Sequence, residues 1–76
     1  MANITSVTDS WQSVLLAADE IWQVHSGQVF LDTDATEANR LGIRLSPMEA
    51  VKIASGKTVY YKLAQGTGAV IARVAV

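Results

Sequence analysis

The residues of this chain that could bind a nucleotide or a metal ion occur in incomplete motifs. Gly56-Lys57-Thr58 matches the end of a phosphate-binding loop, which also requires a glycine where Val51 stands and a helix after the threonine. Residues 32–37 match the start of a calcium loop, which requires a glycine in place of Glu37 and a glutamate in place of Ile43. We interpret the first as a tight turn and the second as an acidic loop, with a weak cation contact shared between subunits as the alternative.

The sequence has no group of residues typical of a catalytic centre. His25 is the single histidine and cysteine is absent, so we find neither a His/Cys metal-ligand set nor a Ser-His-Asp arrangement. We therefore predict a protein that is not an enzyme and that binds no metal and no cofactor. The six basic residues are outnumbered by seven acidic ones and form no run, so we also expect no nucleic acid partner.

The composition predicts a small domain that is stabilised by assembly. A chain of 76 residues buries a modest share of its surface, and without cysteine it has no disulfide. Half of the residues are hydrophobic and 17% are charged, so we expect some apolar surface to contact another protein. The first residues lack the charge and apolar block of a signal peptide, and no run is long enough to span a membrane. We expect a soluble protein with no membrane partner.

The charges are divided between the two halves of the chain. Residues 1–39 carry six acids and no Lys or Arg, which gives −6, whereas residues 40–76 carry six basic residues and Glu49, which gives +5. This division favours pairing of the two halves within one chain, or of the acidic part of one copy with the basic part of the next. Solvated faces with a chance bias are the alternative. If copies pair, reversing Lys52 and Lys62 to glutamate should weaken assembly.

Alternation of apolar and polar residues predicts β-strands in the second half of the chain. Residues 43–45, 50–54 and 57–63 alternate and are separated by turn residues. Residues 46–55 also carry helix-capping signals, so a short helix is the alternative to the second of these strands. Beyond a predicted glycine turn, residues 69–76 are apolar on both sides, which indicates a strand that is central or covered.

The first half permits two interpretations. Residues 11–25 have apolar side chains at the three- and four-residue spacing of a helix, whereas residues 21–32 alternate as a hairpin with its turn at Ser26-Gly27. We favour strands, since Ile, Trp, Val and Phe are dense here. The predicted fold is all-β, a small antiparallel β-sandwich or barrel of about six to seven short strands. An α+β fold with a helix at 11–25 is the alternative. Residues 1–9 are predicted to be an extended arm and residues 10–76 a single β domain.

Large aromatic and basic side chains are the candidates for an interface. For the aromatic residues, core packing is the first interpretation and a subunit contact is the alternative. Tyr60 and Tyr61 are adjacent in a predicted strand and point to opposite faces, so one of them should leave the core. The candidate interface residues are Trp11, Trp22, Arg44, Lys52, Tyr60 and Lys62.

Three parts of the sequence carry a resemblance to a known family. They are E-I-W-Q-V-H-S-G-Q-V-F-L-D-T-D, then G-I-R-L-S-P-M-E-A-V-K-I-A-S-G-K-T-V-Y-Y-K-L, and a short apolar last strand. Over residues 11–76 the chain resembles the small all-β virion proteins of tailed bacteriophages and gene transfer agents, which serve as capsid decoration, cement or head-spike-base subunits. One departure is Met48, where the pattern usually has glycine.

The resemblance implies a structural virion protein. Such a protein forms a symmetric homo-oligomer, a trimer or a pentamer, on the capsid surface after synthesis in the bacterial host cytoplasm. Its partners would be the major capsid protein and a fibre protein. A carbohydrate-binding or adhesin module that uses an exposed Trp or Tyr is the alternative function, and a small intracellular regulator with an α+β fold is the third.

Overall fold

The computed structural model describes residues 3–76 and has an all-β fold. Its strands are β1 (Gln12–Leu15), β2 (Glu20–Asp32), β3 (Ile43–Leu45), β4 (Ala50–Ile53) and β5 (Thr58–Ala75), and a 3-10 turn, Glu37–Asn39, lies in the loop between β2 and β3. The predicted all-β class is confirmed. The α+β alternative is wrong, because residues 11–25 form β1 and the first part of β2 rather than a helix.

Two of the predicted turns lie inside long strands. β2 and β5 pair antiparallel from Glu20–Ala75 to Asp32–Tyr60, so Ser26-Gly27 is not a hairpin turn and residues 64–68 do not separate two strands. The register shifts between residues 24 and 29 of β2, and bulges there bend the pair instead of reversing the chain. The described residues therefore form five strands, two of them long, instead of six to seven short ones.

The bend makes the two halves of β2 and β5 face each other. The rings of Trp22 and Tyr61 meet edge to face with centroids 5.9 Å apart. Tyr61 is paired with Leu31 of β2. If β2 were straight, the Cα atoms of Trp22 and Leu31 would be about 30 Å apart, so the contact between the two rings requires the bend. The first layer consists of β1, β3, the first half of β5 and the second half of β2. The second layer consists of β4, the first half of β2 and the second half of β5.

The core lies between these two layers. Alternation along β2 turns Trp22 and Val24 inward and Ile21 outward. Residues 3–9 lie along β5, since Ile4 pairs with Ile71 and the Thr8 carbonyl accepts a hydrogen bond from the Leu63 N–H at 2.8 Å. The buried apolar side chains of the core are Val7, Leu16, Trp22, Val24, Val29, Leu31, Leu45, Ile53, Val59, Tyr61, Ala69 and Ile71.

β3 and β4 follow one another along the same edge of β2. The strands predicted at 43–45 and 50–54 are confirmed, and the alternative helix at 46–55 is wrong. The turn between them stays attached to β2, because the Met48 N–H donates to the Val24 carbonyl at 2.6 Å and the Val24 N–H donates to the Glu49 carbonyl at 3.1 Å. These bonds are unavailable to a helix over the same residues.

Met48 occupies a backbone conformation that favours glycine, with a φ of 73°. A residue with a side chain is destabilised by about 1–2 kcal/mol in this left-handed conformation. Glycine avoids this strain, but it loses more conformational entropy on folding, which offsets part of the gain. We expect Met48→Gly to raise the free energy of unfolding by about 0.5–1 kcal/mol in urea denaturation. Met48→Ala, which keeps the strain and removes the same exposed side chain, is the matched control. An increase in stability in both variants, or in neither, would contradict the conclusion that the backbone at residue 48 favours glycine.

Candidate functional site

The outward side of the first layer carries alternating basic and aromatic residues. Arg44 of β3 is paired with Phe30 of β2, and Phe30 is paired with Lys62 of β5. Trp11 comes next in the same row, because Gln12, the residue after it, is paired with Tyr61. We call this surface the cationic face, and its side chains are Trp11, Phe30, Arg40, Arg44, Tyr60 and Lys62.

The cations of this face lie over its rings. The Lys62 Nζ is 4.7 Å from the centroid of Trp11 and 5.9 Å from that of Phe30. The Arg40 guanidinium carbon is 3.5 Å from the centroid of Tyr60 and 5.7 Å from that of Trp11. Each such contact contributes about 0.5–1 kcal/mol at an exposed site. The rings are therefore half-buried beneath charged groups.

Arg40 is held in place by the loop from which it projects. Its Nε donates to the Asp34 carbonyl at 2.7 Å and its Nη2 donates to the Ala35 carbonyl at 3.0 Å. Together with the stack on Tyr60, these bonds fix the guanidinium group above the sheet. The loop thus supplies a positive charge to a surface formed otherwise by strand residues and Trp11.

Asp32, at the end of β2, and Asp34 accept hydrogen bonds from the backbone of this loop. The Asp32 carboxylate accepts hydrogen bonds from the N–H groups of Asp34 at 2.9 Å and Gly42 at 3.0 Å. The Asp34 carboxylate accepts one from the Thr36 N–H at 2.8 Å. The Asp34 N–H is the main cause that lowers the pKa of Asp32, with a smaller contribution from Gly42. Through these hydrogen bonds Asp32 and Asp34 stabilise the loop.

Arg44 is held by two amides. Its Nε donates to the Gln28 Oε1 at 2.9 Å, its Nη2 also donates to that oxygen, and the Nη2 donates to the Gln65 Oε1 at 3.0 Å. Within residues 3–76 the one ion pair joins Glu20 and Arg73, so the cations of the face form no ion pair there. Arg44 and Lys62 are therefore not neutralised by ion pairs within the described residues, whereas Arg40 interacts with the carboxylate of Asp32 and helps to lower its pKa.

Two of the predicted interface residues lie elsewhere. Trp22 is fully buried in the core, and its Nε1 donates to the Glu20 carboxylate at 2.9 Å, so it offers no surface to a partner. Lys52 is paired with Ile21 and lies on the outward side of the second layer. The structure brings together the other four candidates, which are Trp11, Arg44, Tyr60 and Lys62.

The outward side of the second layer is mostly apolar. Ile21 lies between Lys52 and Val74 in one row, and its neighbouring row consists of Ala50, Gln23 and Ala72. The exposed fraction is 40% for Ile21 and 58% for Val74. We call this surface the apolar face, and its side chains are Ile21, Gln23, Ala50, Lys52, Ala72 and Val74.

A cleft of about 640 Å³ opens between the end of β2, the start of β3, the end of β4 and the start of β5. Leu41 at its rim is 87% exposed. Lys52 and Lys57 also border the cleft. Its apolar lining includes Leu31, Ile43, Val51, Ile53 and Val59.

Glu20 and Arg73 form a buried ion pair between the two halves of the chain. Glu20 is 2% exposed, and its carboxylate accepts from the Arg73 Nε at 2.9 Å and Nη2 at 3.1 Å. The Arg73 guanidinium also lies over Trp22, 5.3 Å from the ring centroid. The hydrogen bonds from Arg73 lower the pKa of Glu20 more than burial raises it. All of these contacts support the fold, and none presents a reactive group to solvent.

Comparison with known proteins identifies no relative from which a function could be inferred. Neither a protein-family model nor a curated protein matches the chain. In residues 3–76 no three His, Asp or Glu side chains lie close enough to hold a metal ion. The same residues contain no helix of the length and hydropathy needed to cross a membrane.

The cationic face predicts a charge-dependent response of Trp11 to quenchers. Trp22 is fully buried, so collisional quenching of tryptophan fluorescence should report mainly Trp11. Because Arg40 and Lys62 lie beside that ring, the ratio of iodide to caesium quenching at low ionic strength should exceed the ratio for N-acetyltryptophanamide, which is uncharged. Stern–Volmer measurements on Lys62→Gln should show a smaller ratio, whereas Lys52→Gln should behave as the unmodified protein. A ratio in the unmodified protein equal to that of N-acetyltryptophanamide would contradict the assigned charge of this face.

Proposed function

We propose that the protein is a non-catalytic structural subunit that forms a symmetric homo-oligomer and decorates the surface of a phage-type capsid, as a decoration or spike-base protein. The observation that supports assembly is the apolar face. Ile21 and Val74 lie side by side on it, and Lys52 is the one charged residue in its two rows. An apolar sheet face of this kind is typical of a surface that another protein covers.

The size of the molecule fits this proposal. A standard interface covers about 800 Å² on each partner, which is close to a fifth of the surface of 4365 Å² on this chain. Two rows of side chains across three strands supply only part of such an area, so the contact would extend beyond the apolar face. Rotational symmetry about a closed ring, as in a trimer or a pentamer, would place the same face of every copy in an equivalent contact.

The attachment to a capsid follows from the sequence resemblance over residues 11–76, and the major capsid protein is the partner that it implies. A fibre protein is the second partner. The carbohydrate-binding alternative gains no support from the contacts of Tyr60, because the Arg40 guanidinium lies 3.5 Å above its ring and covers the surface on which a sugar would stack.

Substitutions on the apolar face test the assembly. We expect Val74→Glu to reduce the mass of the particle in sedimentation equilibrium, because a carboxylate would be buried without a partner in the contact. Leu15→Glu is the matched control, since Leu15 is 69% exposed and lies in β1 of the first layer. An unchanged mass for Val74→Glu, or an equal loss for Leu15→Glu, would contradict the assignment of this face.

The place of the protein on a capsid needs a separate test. We expect mass spectrometry of purified particles from the source of the sequence to detect this chain in a constant ratio to the major capsid protein. Its absence from particles, despite its presence in the lysate, would refute the virion assignment and leave the oligomer itself unaffected.

A further inference from the structure

On the cationic face, Arg44 and Lys62 have no carboxylate partner within residues 3–76, whereas the nearby carboxylate of Asp32 partly offsets the charge of Arg40. Arg40, Arg44 and Lys62 contact carbonyl oxygens, amide oxygens and rings, and within residues 3–76 none of them forms an ion pair with a carboxylate. The chain as a whole has a net charge of −1, so this local excess is not a consequence of a basic composition. A group of cations in one row of a sheet attracts an anionic partner.

The side chains of this face are also those that dominate the energy of protein interfaces. Trp, Tyr and Arg are enriched among residues whose removal weakens binding most, and here Arg40 lies over the rings of both Trp11 and Tyr60. Arg40 is already fixed by two backbone carbonyls and a ring. Binding would therefore order little that is mobile, which lowers the entropic cost of association.

We infer that the cationic face binds an acidic segment of a partner protein. Carboxylates of the segment would contact Arg40, Arg44 and Lys62, and its uncharged atoms would cover the half-buried rings of Trp11 and Phe30. Neighbouring strands lie about 4.8 Å apart, so Arg44 and Lys62, which flank Phe30, start about 10 Å apart. Two glutamates of one extended segment can reach both.

Single-stranded nucleic acid fits the same surface less well. Its bases bind by stacking on open aromatic rings, and here Arg40 and Lys62 already lie over Tyr60 and Trp11. The loop that supplies Arg40 also carries Asp34 and Glu37, whose charges repel phosphates and carboxylates alike. A nucleic acid has a phosphate at every nucleotide, whereas a protein segment can place its carboxylates at Arg44 and Lys62 and keep uncharged residues near the loop.

This inference is independent of the proposed assembly, because the apolar face lies on the second layer and the cationic face on the first. Charge substitutions on one face therefore leave the other unchanged. A failure to bind acidic segments and a failure to assemble would be distinguishable results.

The test is fluorescence anisotropy with a labelled peptide in which glutamate alternates with alanine. We expect the peptide to bind at low ionic strength and to be released as sodium chloride is added. Arg44→Gln and Lys62→Gln should each weaken the affinity about tenfold, which corresponds to about 1.4 kcal/mol. Lys62→Arg, which keeps the charge, should restore most of it. Lys52→Gln removes an exposed lysine from the apolar face and should leave the affinity unchanged.

Three outcomes would overturn the inference. The first is no binding of the peptide by the folded protein, and the second is an equal loss of affinity in Lys52→Gln and Lys62→Gln. The third is displacement of the peptide by oligothymidylate that binds more tightly, which would assign the face to nucleic acid. Circular dichroism of each variant establishes that it retains the β fold during the measurement.

Discussion

Glu20→Ala is expected to lower the free energy of unfolding by about 3 kcal/mol or more, because it leaves the Arg73 guanidinium without its partner in a nearly buried site. The substitution also removes the acceptor of the Trp22 Nε1–H in the core. An unpaired buried donor adds about 1–3 kcal/mol to the loss. No other side chain of the described residues combines a buried charge with contacts to both an arginine and the largest core residue.

The control for this substitution is Asp9→Ala, which removes an exposed carboxylate of the same chain. Surface changes of this type alter stability by about 0.5 kcal/mol or less. Urea denaturation of the two variants side by side gives the comparison. Similar losses for Glu20→Ala and Asp9→Ala would mean that the Glu20–Arg73 pair does not stabilise the fold.

The same pair predicts how stability depends on pH. Because Arg73 lowers the pKa of Glu20, the folded state binds its proton less readily than the unfolded state does. The contribution of the pair is thus fully present above the ordinary glutamate pKa of 4.5, and it is lost as the pH falls from there through the lower value in the folded protein. Glu20→Gln should show a shallower loss of stability over this acidic range. Identical slopes for both proteins would contradict the assigned role of Arg73.

Gly27→Ala is expected to destabilise the fold by about 3 kcal/mol, since it combines an unfavourable backbone conformation with a steric overlap. Gly27 has a φ of 74°, and a Cβ atom on it would lie 2.4 Å from the Gly68 carbonyl oxygen and 2.8 Å from the Ala69 Cβ. To relieve this overlap, β2 and β5 must separate at the bend that joins the two layers. The substitution thus acts on the feature that closes the core.

Gly66→Ala is the matched control for this bend. Gly66 has a φ of 89°, and no atom lies within 4 Å of the position of its Cβ. Its substitution should cost about 1–2 kcal/mol from backbone conformation alone. Thermal unfolding of both variants measures the difference, and equal melting temperatures would show that the close approach of the strands at Gly27 has no energetic consequence.

The alternation of side chains was sufficient to predict the β class and the opposite directions of adjacent residues. Tyr60 and Tyr61 point to opposite sides of the sheet, because these directions depend on a period of two within one strand. The predicted turn at Ser26-Gly27 is wrong for a physical reason. A glycine with positive φ suits both a hairpin turn and a bulge, and the partner strand, far away in sequence, selects between them.

The candidate site could be predicted only in part. Trp11, Arg44, Tyr60 and Lys62 were selected by residue type, but their common face depends on the pairing register, which local sequence does not contain. Arg40 was not selected, although it is the only basic residue in a polar loop, because its position follows from bonds to loop carbonyls. Trp22 was selected as an interface candidate because it is large and aromatic, but such a side chain is equally suited to the core, where the structure places it.

The division of charge along the chain has an internal explanation for one ion pair. Glu20 pairs with Arg73 of the other half, and the Asp19 carboxylate accepts a hydrogen bond from the Ser55 N–H at 2.8 Å. Lys52 and Lys62 lie on different layers, so a joint reversal of both charges would alter two surfaces at once. Separate substitutions at Val74, Lys52 and Lys62 resolve which face contacts which partner.

The central claim is that the apolar face joins copies of this chain into a closed oligomer. Native mass spectrometry of the purified protein tests it most directly. We expect one dominant species whose mass is three or five times that of the 8.1 kDa chain. A folded protein that remains an 8.1 kDa monomer at every concentration would contradict it.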